Sequence, residues 1–310
     1  MQKAPRSYLN TTGGSHVLQA RPEVAVNGPW SRRLQPLIPI TVDEIVADSV
    51  AVAAEDAAII HVHAYDEQSG RQRDDWQIYA RIIEGIRKEC DALIYPSFPF
   101  AAFDGSVADD GGVGINERFD AVEQLAKRGL IDFCTCDPGS TNIVSYADVA
   151  AGRPGFVYAN PESHINHALD LAERHRIPPN GTIYEPGFQR LGSAHLKRHP
   201  GVPTPMWRIM FSDHFCFGFP PEEWALEAYH HLLRREAPQV HWMVAGLNVN
   251  TLPLFESAME RGGHLRVGLE DAPHGTDQGN LELTRTAVAA IRATGREPAT
   301  PAEVRTALGQ

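Results

Sequence analysis

The chain has 310 residues, 43% of them hydrophobic, which is ordinary for a globular protein and enough to build a large core. A formal net charge of −11 argues against nucleic acid as a partner. Four cysteines with no CxxC spacing exclude a disulfide scaffold, and no apolar run reaches the roughly 20 residues of a membrane span. The N-terminal MQKAPRSYLNTTGG has no apolar signal-peptide run, so the expected location is the cytoplasm.

Short apolar runs alternate with helical stripes along the whole chain. Tyr8–Thr12 reads as a first strand, and Gly13–Ile40 as a long loop after it. Thr41 opens a helix with Glu44 three residues on, a capping box, and Ile45, Val46, Ser49, Val50 and Ala53 keep helical spacing. Ala58–His63 is the second strand, and Trp76, Tyr79, Ile82, Ile83 and Ile86 mark the helix after it. Ala92–Ser97 is the third strand; the long loop Phe98–Asn116 leads to a helix over Phe119–Arg128. Ile131–Cys136 is the fourth, with Cys134 and Cys136 read as strand residues facing one side. Asn160-Pro161 reads as the N-cap and first residue of the next helix. Strands five to eight are Thr182–Glu185, Trp207–Ser212, Val240–Ala245 and Leu265–Glu270, each followed by a helical segment. Thr300-Pro301-Ala302-Glu303 caps a final short helix.

Eight β/α units in this length predict an α/β fold, a TIM (β/α)8 barrel, as one domain over 1–310 with long N-terminal and β3–α3 loops. Both long loops follow strands and so belong on the active face, as lids or subunit contacts. No glycine-rich dinucleotide or phosphate-loop fingerprint follows the first strand.

The chemistry gathers at two distant segments. His61 and His63 end the second strand on one face, because side chains alternate along a strand. In His264–Asp271, Arg266 and Glu270 share one face. If strand eight closes beside strand one, with strand two on its other side, His61, His63 and Glu270 converge at the barrel mouth. Two imidazoles and a carboxylate with open positions suit a catalytic divalent metal; the alternative is a pair of hydrogen-bonded core histidines. Arg266 and Asp271 add charge beside that set, or form a buried salt-bridge network with it. Ser97, ending the third strand, and Glu185, ending the fifth, are candidates for substrate binding, with a turn serine and a salt-bridge partner as the plainer readings. Asp213, His214 and His241 are weaker candidates facing the site.

Three stretches carry a resemblance: PITVDEI at 39–45, AIIHVHA at 58–64 and GGHLRVGLED at 262–271, in that order. Val244-Ala245-Gly246 and the tail from Gly295 to Glu303 extend it. They resemble the β-keto acid cleavage enzymes, the family of the 3-keto-5-aminohexanoate cleavage enzyme, which are zinc-dependent TIM barrels. The resemblance implies Zn2+ on His61, His63 and Glu270, although that donor set suits other divalent metals. It implies Arg266 and Asp271 as a catalytic pair and Ser97 as a contact for the substrate carboxylate. It implies acetyl-CoA as co-substrate: a β-keto acid and acetyl-CoA exchange to give acetoacetate and a new acyl-CoA by Claisen and retro-Claisen steps. Small-molecule keto acid and acyl-CoA are then the partners, and a homo-oligomer, dimer or tetramer, is expected.

The sequence departs from the family at two loops. Phe98–Phe103 and Phe215–Trp224 are aromatic where the family is polar or glycine-rich, which points to a more apolar substrate side chain. Around Gly13-Gly14-Ser15 no residue matches the acidic group that the family carries near its first strand. Two other functions stand beside this one. An amidohydrolase-type barrel also uses a His-x-His strand end, normally on the first strand. A catalytically silent relative would bind a keto acid and turn nothing over.

Overall fold

A computed structural model describes residues 19–99 and 114–310. Eight parallel strands form one sheet: β1 (Pro22–Ala25), β2 (Ile59–Val62), β3 (Leu93–Pro96), β4 (Cys134–Thr135), β5 (Pro179–Ile183), β6 (Met206–Phe211), β7 (His241–Gly246) and β8 (His264–Val267). Their order, β3-β2-β1-β8-β7-β6-β5-β4, is that of a barrel opened between β3 and β4. That seam is stitched by Asp132 N to Ile94 O at 2.9 Å and by Thr135 Oγ1 to Pro96 O at 2.9 Å. The architecture is therefore a nearly closed (β/α)8 barrel, as expected from the sequence.

The helices α1 (Val42–Ala54), α2 (Trp76–Arg87), α3 (Ile115–Lys127), α4 (Glu162–His175), α5 (Pro186–Arg198), α6 (Glu223–Glu236), α7 (Phe255–Glu260) and α8 (Asn280–Ala293) alternate with the strands. Each lays an apolar stripe on the outer face of the sheet, which buries the strands on both sides. The expected capping box is present in α1: Thr41 accepts from Glu44 N while the Glu44 carboxylate accepts from Thr41 N. A last helix, α9 (Pro301–Leu308), has the same cap at Thr300 and closes the bottom of the barrel. Its Val304 and Leu308, with Ala299, pack in one cluster with Met206 and Met243.

Two expectations need correction. The strand that opens the barrel is Pro22–Ala25, inside the segment read as the loop Gly13–Ile40; the expected strand Tyr8–Thr12 lies outside the described residues. Only four residues long and buried throughout, Pro22–Ala25 has neither the length nor the alternation that marks a strand in sequence. Second, α4 starts one residue later than expected, with Pro161 at the N-cap. Asn160 instead accepts from Arg118 Nη2 at 2.7 Å and donates to Gly139 O at 2.7 Å. Of the loop Phe98–Asn116, residues 100–113 lie outside the described residues. Among the described residues, no helix is long and apolar enough to cross a membrane.

Candidate active site

The C-terminal ends of β2 and β8 sit on either side of β1, and their side chains meet over it. His61 Nε2 is 3.4 Å from Glu270 Oε2, His63 Nε2 is 3.6 Å from Glu270 Oε1, and the two Nε2 atoms are 3.2 Å apart. Two glycines make this approach possible. Gly28 has φ +70°, and a Cβ there would stand 2.5 Å from Glu270 Cγ. Gly268 has φ +129°, and a Cβ there would stand 2.1 Å from Ala25 O, so β8 can press its end against β1. The segment before α1 then braces Glu270: Trp30 Nε1 donates to Glu270 O at 2.8 Å and Gln35 Nε2 to Leu269 O at 3.2 Å.

The tautomers decide what the triad can hold. His61 Nδ1 faces Tyr95 O at 3.3 Å, a group that only accepts. His63 Nδ1 faces Gln72 Oε1 at 2.9 Å, and the Gln72 amide is oriented by donating Nε2 to Asp74 at 2.9 and 3.0 Å. Asp74 is held in turn by Tyr79 OH at 2.7 Å. Nδ1 of each imidazole therefore carries a proton, and when the rings are neutral both Nε2 atoms present lone pairs. Two lone pairs 3.2 Å apart repel, and no hydrogen bond can join them. A cation between them removes the repulsion. The separations of 3.2, 3.4 and 3.6 Å, the last two to different oxygens of the Glu270 carboxylate, are close to the roughly 3.3 Å between ligands bonded tetrahedrally at about 2.0–2.1 Å. Among the described residues, this is the one group of three ligating side chains whose donor atoms all lie within 4.8 Å of one another.

Charge points the same way. Inside the barrel, Arg266 Nη2 lies 2.8 Å from both Glu270 Oε2 and Asp271 Oδ1, and Nη1 lies 3.4 Å from Glu23 Oε1. Arg208 Nη2 is 3.7 Å from Asp137 Oδ1. Four carboxylates thus face two guanidiniums, a deficit that one divalent cation cancels. Burial raises the Glu270 carboxyl, but Arg266 and the two imidazoles outweigh it and hold the group well below the usual carboxylate range. Burial pushes His61 well below its ordinary value, so it is neutral and able to ligate. Burial pushes the Asp271 carboxyl up, against the opposing pull of Arg266.

The cavity at this point is lined by His61, His63, Ser97, Asp137, Arg208 and Glu270, among others. Ser97 is therefore in the site. Asp271 sits behind Arg266 with Oδ2 accepting from Gly246 N at 3.2 Å, and it lines the neighbouring cavity of about 230 Å³ with Thr251, Leu252 and Gln278. Glu185 is not among the lining residues: it stands at the start of α5 and accepts from Thr141 Oγ1 at 3.1 Å. His241 begins β7 at the opposite end of the barrel and faces Ala307 O at 3.3 Å. Asp213 and His214 are exposed. Cys134, in β4, and Cys136, just past its end, are both buried against α4.

Sequence reasoning missed Glu23 and Arg208. Glu23 is fully buried, level with Arg266 in the β1–β8 register, and its Oε1 accepts from Tyr95 OH at 2.5 Å. It is the acidic residue of the first strand. Arg208 interrupts the apolar run Met206–Phe211, and a charge inside such a run is the signal that would have found it.

A family profile described as beta-keto acid cleavage enzyme matches residues 23–309. The chain belongs to the β-keto acid cleavage enzyme family. It is 27% identical over 292 residues to a 3-oxoadipate:acetyl-CoA acetyltransferase of Cupriavidus necator, covering 92% of this chain and 93% of that protein. It is 27% identical over 282 residues to a 3-keto-5-aminohexanoate cleavage enzyme of Fusobacterium nucleatum, covering 88% and 91%. Among solved structures, apo ObcA aligns with a TM-score of 0.63 at 15% identity, over 88% of this chain and 66% of that one, a likeness of fold.

Proposed function

We propose that the protein is a divalent-metal, zinc-preferring β-keto acid cleavage enzyme that uses acetyl-CoA. The observation that carries this is the pair of Nε2 lone pairs 3.2 Å apart under a buried carboxylate, at the mouth of a barrel of this family. His61, His63 and Glu270 would hold the metal, which supplies Lewis acidity toward a keto oxygen. Ser97 binds the substrate carboxylate. Asp271 takes the α-proton, with the Arg266 fork fixing its carboxylate in place. The α-carbon then bonds to the acetyl carbonyl carbon and CoA leaves as thiolate. That thiolate attacks the original keto carbon, the older carbon–carbon bond breaks, the released carbanion takes back the proton held by Asp271, and acetoacetate departs with a new acyl-CoA. Glu185 stands at the start of α5 and accepts from Thr141 Oγ1 there. The same reading takes the chain as one domain that assembles into a dimer or tetramer in the cytoplasm. An amidohydrolase-type site would place the His pair on the first strand, where this chain has Glu23 instead.

The test is a coupled assay: zinc-loaded protein, acetyl-CoA and a panel of β-keto acids, with acetoacetate and acyl-CoA read by mass spectrometry. The wild type is expected to form both products, and Asp271→Asn to lower the rate by about 10²–10⁴-fold. Metal-loaded protein that forms neither product with any acid would overturn the reading.

A second expectation concerns the support of His63. Gln72→Leu removes the acceptor that orients its Nδ1–H, and metal affinity is expected to fall by about 10–100-fold. Chelator competition measures this, and an unchanged affinity would mean that His63 is aligned by other contacts.

A further inference from the structure

The strand order puts β6 opposite β2, and β4 opposite β8. A keto acid whose reacting carbons lie at His61, His63 and Glu270 therefore directs its far end toward Asp137, after β4, and Arg208, on β6. Tyr158, Tyr184, Met210 and Phe98 complete that wall of the cavity.

The two charged groups on this wall lie against each other and their neighbours, and Arg208 Nε alone of the guanidinium nitrogens is buried without a partner. Arg208 Nη2 donates to Thr182 Oγ1 at 2.7 Å and lies 3.7 Å from Asp137 Oδ1, while Nη1 donates to Tyr95 OH. Asp137 Oδ1 accepts from Thr182 N at 2.5 Å, and Oδ2 from Tyr158 OH at 2.5 Å. A substrate with an ammonium tail would find each Asp137 oxygen already accepting one hydrogen bond and Arg208 repelling it. A carboxylate tail would find both Arg208 Nη groups engaged and Asp137 repelling it. In both cases the tail loses its hydration and gains no matched partner, and burying such a charge is costly. An uncharged tail escapes that cost and packs on the aromatic rings and Met210.

We propose that this enzyme takes β-keto acids whose side chain is uncharged, alkyl, aryl or oxo, with Asp137 and Arg208 as the specificity-determining residues. This rests on the cleavage reading for the orientation of the substrate. It sets the chain apart from the two relatives above, whose names give acids with a carboxylate or an amine at the far end. Each member of the pair masks the other. Removing Asp137 exposes a cationic Arg208 to the tail, and removing Arg208 exposes an anionic Asp137.

The experiment uses the zinc-loaded full chain with three acids: 3-oxohexanoate, 3-oxoadipate and 3-keto-5-aminohexanoate. Calorimetric binding and kcat/KM with acetyl-CoA are both measured, for wild type, Asp137→Asn, Arg208→Gln and the double variant. Wild type is expected to favour 3-oxohexanoate by roughly tenfold or more. Asp137→Asn shifts the ratio toward 3-oxoadipate, Arg208→Gln shifts it toward 3-keto-5-aminohexanoate, and the double variant returns it to the uncharged acid. The double variant also separates a lost pocket from a lost fold, since it leaves no charge unpaired. A wild type that prefers either charged acid, ratios unmoved by the single variants, or binding of none of the three overturns the proposal. Binding in the expected order without turnover supports the tail assignment and removes the cleavage reading. Turnover with a charged preference does the reverse.

Discussion

Glu270→Gln is expected to strip the centre of its metal while leaving the barrel folded. The carboxylate is the one anionic donor of the triad, 3.4 and 3.6 Å from the imidazole Nε2 atoms and 2.8 Å from Arg266 Nη2. Glutamine keeps the size of the side chain, so Gly28 still has room to pass over it. It loses the charge, and its amide brings N–H donors toward the lone pairs that a cation needs. A neutral amide is a far weaker ligand for a divalent ion than a carboxylate, so metal content after dialysis should fall from about one ion per chain toward zero. Turnover should drop by roughly a thousandfold or more, since both Lewis acidity and substrate placement depend on the ion. Arg266 keeps Asp271 and Glu23 as partners, so the unfolding midpoint of the metal-free protein should stay near that of the metal-free wild type. Metal analysis and a melt on the same sample decide the matter. Full retention of metal by the variant would remove Glu270 from the ligand set.

Arg266→Met is expected to act on the fold as well as on the chemistry. Arg266 is 2% exposed and touches three carboxylates, on Glu23, Glu270 and Asp271. Methionine fills much of the volume but leaves three acids facing one another, Glu23 fully buried among them. Breaking a buried ion pair from one side costs about 3–5 kcal/mol, because the partner charge stays buried and uncompensated. That is a large share of the roughly 5–15 kcal/mol that separates folded from unfolded states of a typical domain. The urea midpoint should therefore fall sharply, or the variant should be recovered insoluble. Arg266→Lys keeps the charge but cannot reproduce the three-bond fork from Nε and Nη2 to Asp271. It should fold and still lose turnover by about 10²-fold or more, through a displaced Asp271. Wild-type stability for Arg266→Met would show that the acids relax or protonate at little cost.

Several features of this protein are legible in its sequence. Seven of the eight strands, the capping boxes at Thr41 and Thr300, and the pairing of His61 with His63 on one face all follow from local rules: side-chain period, cap chemistry, alternation. Local rules also place Arg266 and Glu270 on a common face. They failed at Pro22–Ala25, because a four-residue strand buried on both sides carries no period to detect. With that strand misplaced, Glu23 had no address, although it is the fully buried acid on which Tyr95 and Arg266 converge.

The sequence by itself determined the kinds of group present and the elements that carry them. Only the tertiary structure decided which of them meet. His61 and Glu270, Glu23 and Arg266, Asp137 and Arg208 lie from about 70 to more than 200 residues apart along the chain, and no local propensity couples them. Parallel register sets Glu23 level with Arg266 and Thr182 level with Arg208, and the strand order then turns β4 and β6 toward the triad. Register and strand order are properties of the whole sheet, fixed by burying all eight strands together, and they bring two imidazoles, a carboxylate and two guanidiniums to one barrel mouth out of side chains that are ordinary taken one at a time.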